Sequence, residues 1–308
     1  MSTLLTLIAV NDDLGKRILK EVSRSFYLTL RLLPREMREA ASLGYLLART
    51  SDTIADTEGV PVEERLSLLG AFAESVGVGA ALPAWPERML EAATAGEAAM
   101  LARAPGILGW LERTEARQAG LVREVVTIII SGQSLDLTRF SGAGKELPVA
   151  LMDAEELDDY TWRVAGCVGA FWTKLGFLTL GDRYSSAGEA ELLGRGISYG
   201  KGLQLVNILR DLPEDLANGR CYLPVADPFD PEALMREYRI WHRQAVEWTG
   251  QGIGYASTLR LRRLRAASVL PALIAEETLE LLDGKMVHGR VKVPRITVHR
   301  LLVEALLF

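Results

Sequence analysis

Asp52 and Asp56 stand four residues apart in the stretch LARTSDTIADTE (47–58), with Arg49 just before them. On an α-helix this spacing puts both carboxylates on one face, ~6 Å apart along the axis, with Arg49 one turn earlier on the same side. A second array lies far downstream in GKGLQLVNILRDLPEDLANGRCYLP, where Asn207, Asp211 and Asp215 fall at i, i+4 and i+8 around Arg210. One D-x-x-x-D pair is ordinary on a solvated helix edge, where it serves in ion pairs. Two such arrays on otherwise apolar helices are different, because carboxylates held against apolar surface are costly unless they meet water or cations. Hard oxygen ligands suit Mg²⁺, which takes few protein ligands and completes its octahedron with waters and phosphate oxygens. Arginine presents a planar fork matched to phosphate. The combination predicts a clamp for a metal-bound diphosphate. Pro213 works against ideal alignment, since it removes a backbone donor and predicts a kink between Asp211 and Asp215.

These residues need long helices to carry them. The chain has 308 residues and is 49% hydrophobic, enough for a sizeable core. Its apolar residues recur at three- and four-residue intervals in segments rich in Ala, Leu, Glu and Arg, and alternating β-branched runs are nearly absent, so the fold is expected to be all-α. Breaks fall at LPRE (33–36), EGVPVEE (58–64), LPAWPE (82–87), FSGAGKELP (140–148) and VADPFDPEA (225–233). No compositional shift or repeat divides the chain, which reads as a single domain over 1–308.

The net charge of −5 argues against a nucleic-acid partner while allowing a local cationic pocket for an anionic ligand. Cys167, Cys221 and the three histidines form neither a metal motif nor a disulfide framework, which suggests a reducing compartment. The apolar start lacks the basic segment and cleavage site of a signal peptide, so the chain reads as cytoplasmic. Val164–Gly181, with Lys174 inside it, reads as a core helix rather than a membrane span. The tail VEALLF offers a peripheral membrane contact, whereas the basic run LRLRRLR (259–265) reads as a solvated helix face. Trp110, Trp162, Trp172 and Trp241 are expected to pack in the interior.

The stretches SRSFYLTLRLLP, YLLARTSDTIADTE, YTWRVAGCVGAFWTKLG and LQLVNILRDLPEDLANGRCYLP, in this order, resemble the squalene/phytoene synthases, and HGRVKVPR (288–295) is similar to a basic stretch near the end of many members. The resemblance implies an all-α isoprenoid synthase-type fold around a deep central cavity, with the two arrays facing each other at its mouth. It implies Mg²⁺ on Asp52, Asp56, Asn207, Asp211 and Asp215, diphosphate on Arg49 and Arg210, and Tyr45 and Gln204 lining the same site. Ser23, Ser25 and Phe26 match the family's S-x-S-F segment, which contacts diphosphate and the cavity wall. Tyr160 corresponds to a tyrosine that assists proton transfer or stabilises a carbocation; read alone, it is a buried tyrosine with a satisfied hydroxyl. Phe171, on the same predicted helix, is either a cavity-wall residue in contact with substrate or an outside packer. Gln133 and Asp136, in a segment similar to one near the family's active site, reach either water and substrate or a helix-terminal ion pair. Lys292 and Arg295 are candidates to close over diphosphate.

The implied reaction joins two prenyl diphosphates head to head through a cyclopropyl diphosphate. Squalene synthases finish with hydride from NADPH, and other branches lose a proton. The tyrosine helix and the Asp-Thr-x-x-Asp motif favour farnesyl diphosphate as substrate, with presqualene diphosphate leading to squalene or a related C30 product. The alternatives are a phytoene synthase acting on geranylgeranyl diphosphate and a non-catalytic assembly or lipid-binding homologue. The sequence does not speak to oligomeric state.

Overall fold

Pro34, Pro61, Pro86 and Pro294 each sit immediately before a helix, with φ of −52°, −53°, −60° and −58° and an extended ψ. The ring fixes φ and its missing N–H removes a donor that a helix start would leave unsatisfied. Three of these prolines are the breaks read from the sequence. The computed structural model describes residues 13–23, 26–282 and 291–308. The chain divides into two compact units, residues 1–138 and 139–308.

In the first unit a π-helical turn, Asp13–Ile18, leads into α1 (Leu19–Ser23), α2 (Phe26–Leu32), α3 (Arg35–Asp56), α4 (Val62–Val78), α5 (Glu87–Ala92), α6 (Ala95–Ala102), α7 (Ala104–Arg113) and α8 (Ala116–Arg139), whose last residue belongs to the second unit. Helix α3 is the axis of this unit and packs against α4, α6 and α7. Met37, Ala40, Leu43, Leu46, Leu47 and Ile54 on α3 are at most 1% exposed. Burying each of the larger of these contributes roughly 1.5–3 kcal/mol. The remaining stripe of α3 carries Tyr45, Arg49, Asp52 and Asp56.

The second unit contains β1 (Val149–Ala150), α9 (Ala154–Thr161), α10 (Cys167–Leu180), α11 (Glu189–Ala217), β2 (Arg220–Cys221), α12 (Pro231–Thr258), α13 (Arg262–Leu282) and α14 (Arg295–Leu307). Among the described residues β1 and β2 are the only strands, paired parallel with Val149 opposite Arg220. Helix α11 is central, flanked by α10, α12 and α13. Leu205, Leu209 and Leu212 turn into a core shared with Tyr238, Leu279 and Leu282. The helix assignment continues through Pro213, which lies inside α11. Trp162–Gly166 is a π-helical segment that joins α9 to α10 as one long helix. Such segments re-phase a helix and gather at functional sites. By length and composition Ala154–Arg183 passes as a membrane span. It packs along α11, with 44% of its most apolar window buried.

That packing depends on glycine. A Cβ at Gly169 would lie 1.9 Å from the Gly196 carbonyl oxygen, and one at Gly200 would lie 2.3 Å from that of Ala165. The two helices therefore touch backbone to backbone, and any side chain at these points forces them apart. Gly169→Ala is expected to destabilise the fold by roughly 1–3 kcal/mol. Gly120, exposed within α8 with open space around it, is a control. Gly120→Ala should stabilise by about 0.5–1 kcal/mol through helix propensity. Urea melts of the two variants measure both signs, and a neutral Gly169→Ala would contradict the close packing.

Candidate active site

Helix α3 sets Tyr45, Arg49, Asp52 and Asp56 along one stripe, at i, i+4, i+7 and i+11. The Tyr45 hydroxyl donates to the Val22 carbonyl of α1 at 3.3 Å. Burial raises its pKa, opposed by Arg49 and reinforced by Asp52. Arg49 Nη1 lies 3.8 Å from Asp52 Oδ2, and Arg49 Nη2 donates to Glu97 Oε1 at 2.6 Å. Glu97 is itself held in a capping box with Thr94 at the start of α6, so the guanidinium is anchored to a rigid helix end. From α8, Gln133 Nε2 donates to Asp52 Oδ1 at 2.5 Å. Glu97 has no counterpart in the motif reading. The pattern T-x-x-E shows only a helix start, and a pairing across 48 residues leaves no local trace. Gln133 thus contacts the first array, through a partner that neither alternative had named for it.

The Asp52 carboxyl is perturbed as well. Burial, joined by the charge of Asp56, pushes its carboxyl up to about 6, against the pull of Arg49 and the hydrogen bond from Gln133. It remains 42% accessible, so water or a ligand can still reach it. Two neighbouring atoms, Gln133 Oε1 and Arg49 Nε, are buried without a hydrogen-bond partner. One is a hard acceptor beside two carboxylates and the other a cationic donor. Oxygen donors of this kind fit a divalent cation such as Mg²⁺, and the unused N–H fits a phosphate oxygen. Among the described residues no three His, Cys, Asp or Glu side chains converge as a ready metal cage. A sparse set is what magnesium uses when substrate oxygens complete its shell.

In the second unit, α11 carries Gln204, Asn207, Arg210, Asp211 and Asp215, all half-buried beside the leucine core. Arg210 grips Asp211 bidentately, Nε to Oδ1 at 2.9 Å and Nη2 to Oδ2 at 2.5 Å. Asn207 Nδ2 reaches Gln204 Oε1 at 3.4 Å. Tyr160, on α9 just before the π-segment, is 7% exposed and stacks on Tyr222, with ring centroids 4.8 Å apart and 24° between planes. Tyr222 meets Phe140 edge-on at 5.2 Å. Neither partner was singled out from the sequence. Tyr222 lies in the CYLP end of the second motif, where only the acids drew attention. Phe171 is buried on α10, and the π-segment between it and Tyr160 breaks the regular phase that a continuous α-helix would give. Trp110 and Trp241 are buried as expected, Trp162 and Trp172 are only half-buried, and Lys292 and Arg295 are exposed. Ser25 lies outside the described residues, as do the side chains of Ser23 and Phe26.

Comparison with known proteins places these motifs in context. Residues 19–297 match the squalene/phytoene synthase family. A presqualene diphosphate synthase of Zymomonas mobilis is 28% identical over 278 residues, 87% of this chain and 81% of that protein. A phytoene synthase of Thermus thermophilus is 31% identical over 68% of this chain but only 57% of its own length. A squalene synthase of Eremothecium gossypii is 26% identical over 95% of this chain and 67% of its own. Among solved structures, the TcSQS complex with ligand E5700 superposes with a TM-score of 0.76 at 24% identity, covering 98% of this chain and 87% of that one. A squalene synthase from Alicyclobacillus acidocaldarius gives 0.61 at 19%, covering 90% and 94%. These likenesses show the all-α isoprenoid synthase-type fold expected from the sequence.

The raised pKa of Asp52 has a consequence for stability. Between its ordinary value of 3.8 and about 6, the folded chain keeps a proton that the unfolded chain has released. The stabilisation from that proton is present below the lower value and is lost as pH rises through the upper one. Asp52→Asn carries no such charge. In metal-free buffer its melting temperature should therefore gain on the parent protein as pH rises from about 4 to about 7. A difference that is constant across this range would contradict the assigned shift.

Proposed function

We propose that this chain, which belongs to the squalene/phytoene synthase family, is a prenyltransferase that condenses two prenyl diphosphates head to head. The observation that carries the reading is the first array. Arg49, Asp52, Asp56 and Gln133 bring a cationic fork, two carboxylates and an unused amide oxygen to one stripe, with Arg49 Nε and Gln133 Oε1 both lacking partners. We take the array on α11 as its complement in the same reaction, a second set of oxygen ligands and an arginine on one helix.

In this reading the allylic C–O bond of one prenyl diphosphate breaks heterolytically, and diphosphate leaves with the electron pair. Mg²⁺ held by Asp52, Asp56, Asn207, Asp211 and Asp215 would neutralise charge on that leaving group. Arg49 exchanges Glu97, and Arg210 exchanges Asp211, for phosphate oxygens; both guanidinium groups are pre-positioned by the acids they release. Tyr45, next along the stripe, lines the same diphosphate site. Buried aromatic surface then receives the cation. The Tyr160–Tyr222 stack offers π-faces to positive charge. The double bond of the second substrate attacks, a proton is lost, and a cyclopropyl diphosphate results, with Tyr160 assisting that proton's departure.

Farnesyl diphosphate is the proposed substrate and presqualene diphosphate the first product, followed by squalene or a related C30 product where NADPH supplies hydride. The match to a presqualene diphosphate synthase over most of both chains supports this choice. A second reading, phytoene formation from geranylgeranyl diphosphate, draws on the 31% match to a phytoene synthase. Cys167 and Cys221 are buried thiols, in keeping with the cytoplasmic placement we adopt.

Incubation with either diphosphate and Mg²⁺, with and without NADPH, followed by product analysis, distinguishes these outcomes. Formation of C30 material from farnesyl diphosphate supports the main reading, C40 material from the longer substrate supports the second, and neither product would overturn both. Asp211→Asn should lower turnover by about 10³-fold while leaving helical content intact. Tyr160→Phe should slow product formation by roughly 10²-fold. Full activity in either variant would contradict the role given to that residue.

A further inference from the structure

Glu155, Asp158 and Asp159 of α9 and Trp162, the first residue of the π-segment, stand at i, i+3, i+4 and i+7 and so share one helical face. On α12, Trp241 and Trp248 are two turns apart and also lie on one face. These six side chains line a cavity of about 440 Å³, within the size range of small-molecule sites. Tyr160, two residues before Trp162, points to the other side of its helix and stacks on Tyr222. None of the residues assigned to diphosphate or metal lines this cavity.

A lysine of the chain shows what the walls hold. Lys201, from α11, sets its ammonium group 4.4 Å from the centre of the Trp248 ring and donates to Asp158 Oδ1. Its side chain is only 12% accessible, and its stem passes Gly166, where a Cβ would lie 2.9 Å from Lys201 Cγ and 3.0 Å from the Trp162 ring. An aromatic face and a carboxylate together thus grip one ammonium group. The free space beside it repeats that pairing, with the indoles of Trp162 and Trp241 next to Asp159 and Glu155. Asp159 also accepts from Arg163 Nε at 2.7 Å. Three carboxylates against the charges of Lys201 and Arg163 leave the cavity negative.

We propose that this cavity binds an organic ammonium ion of the alkyl diamine or polyamine class. One ammonium group sits against Trp162 and Trp241 beside Asp159 and Glu155, the alkyl chain lies along the indoles, and a second ammonium group competes with Lys201 for Asp158 and Trp248. An anionic ligand is repelled by the carboxylates, and a purely apolar one covers them without supplying donors. Every residue involved lies in the second unit, and the inference does not depend on the proposed reaction.

Calorimetric titration of the full chain with putrescine at fixed ionic strength tests this, with succinate as the anionic control. Saturable binding of putrescine, on the order of millimolar or tighter, is expected, and none of succinate. Lys201→Met keeps the stem and removes the internal competitor, so it should tighten binding by at least about tenfold, whereas Asp158→Asn and Trp248→Leu should each weaken it by at least about fivefold. Circular dichroism checks that the helices persist. If Trp248→Leu loses them, the lysine and aspartate variants, which alter side chains at the cavity rim, carry the test. Absence of saturable binding by the parent chain overturns the proposal, as does binding that Asp158→Asn leaves unchanged or that Lys201→Met fails to strengthen.

Discussion

A carboxylate set into the apolar surface of a core helix must be met by donors from the protein or by a cationic ligand. Asp52 meets this condition in part. Gln133 and Arg49 reach its oxygens, yet burial and the neighbouring Asp56 still raise its pKa to about 6. Asp211 meets it fully through a bidentate grip by Arg210, and its own helix packs its leucines away from the acids. In both arrays the arginine that the family resemblance assigns to diphosphate is held by an acid, Glu97 in one case and Asp211 in the other. Both guanidinium groups are thus paired with acids inside the protein. In the proposed reaction diphosphate would take the place of these acids on the arginines.

This arrangement depends on rigid carriers. Helix α3 is buried on most of its circumference, so its polar stripe cannot rotate without exposing leucines. Helix α11 is clasped at Gly200 and against Gly169 of α10, where a methyl group would collide with a carbonyl, and at Gly196, where it would meet the Thr173 hydroxyl. The capping box at Thr94 and Glu97 gives Arg49 an anchor on a third element. Sites built on packed helices hold geometry better than sites on loops.

Much of this was legible in the sequence because it is local. Helical period, proline breaks and the four-residue spacing of acids all act within a turn or two, and they located α3, α11 and the stripe from Tyr45 to Asp56. Pairings across long separations were not legible. Glu97 with Arg49, Gln133 with Asp52 and Tyr222 with Tyr160 arise from helix packing, and no property of the individual residues announces them. Pro213 is accommodated inside α11, where its missing N–H costs one backbone hydrogen bond within a helix held by its neighbours. The π-segment at Trp162–Gly166 has no signature in residue type.

The proposal that both arrays serve one diphosphate is tested most directly by a double-mutant cycle on binding of inorganic pyrophosphate in the presence of Mg²⁺, measured by calorimetry with Asp52→Asn, Asp211→Asn and the pair. If one metal-bound diphosphate bridges the arrays, either single substitution should remove most of the affinity, and the double variant should be little worse than the weaker single, a coupling of about 1–3 kcal/mol. Additive losses, with each array binding pyrophosphate regardless of the other, would mean that the two stripes of acids act on separate ligands.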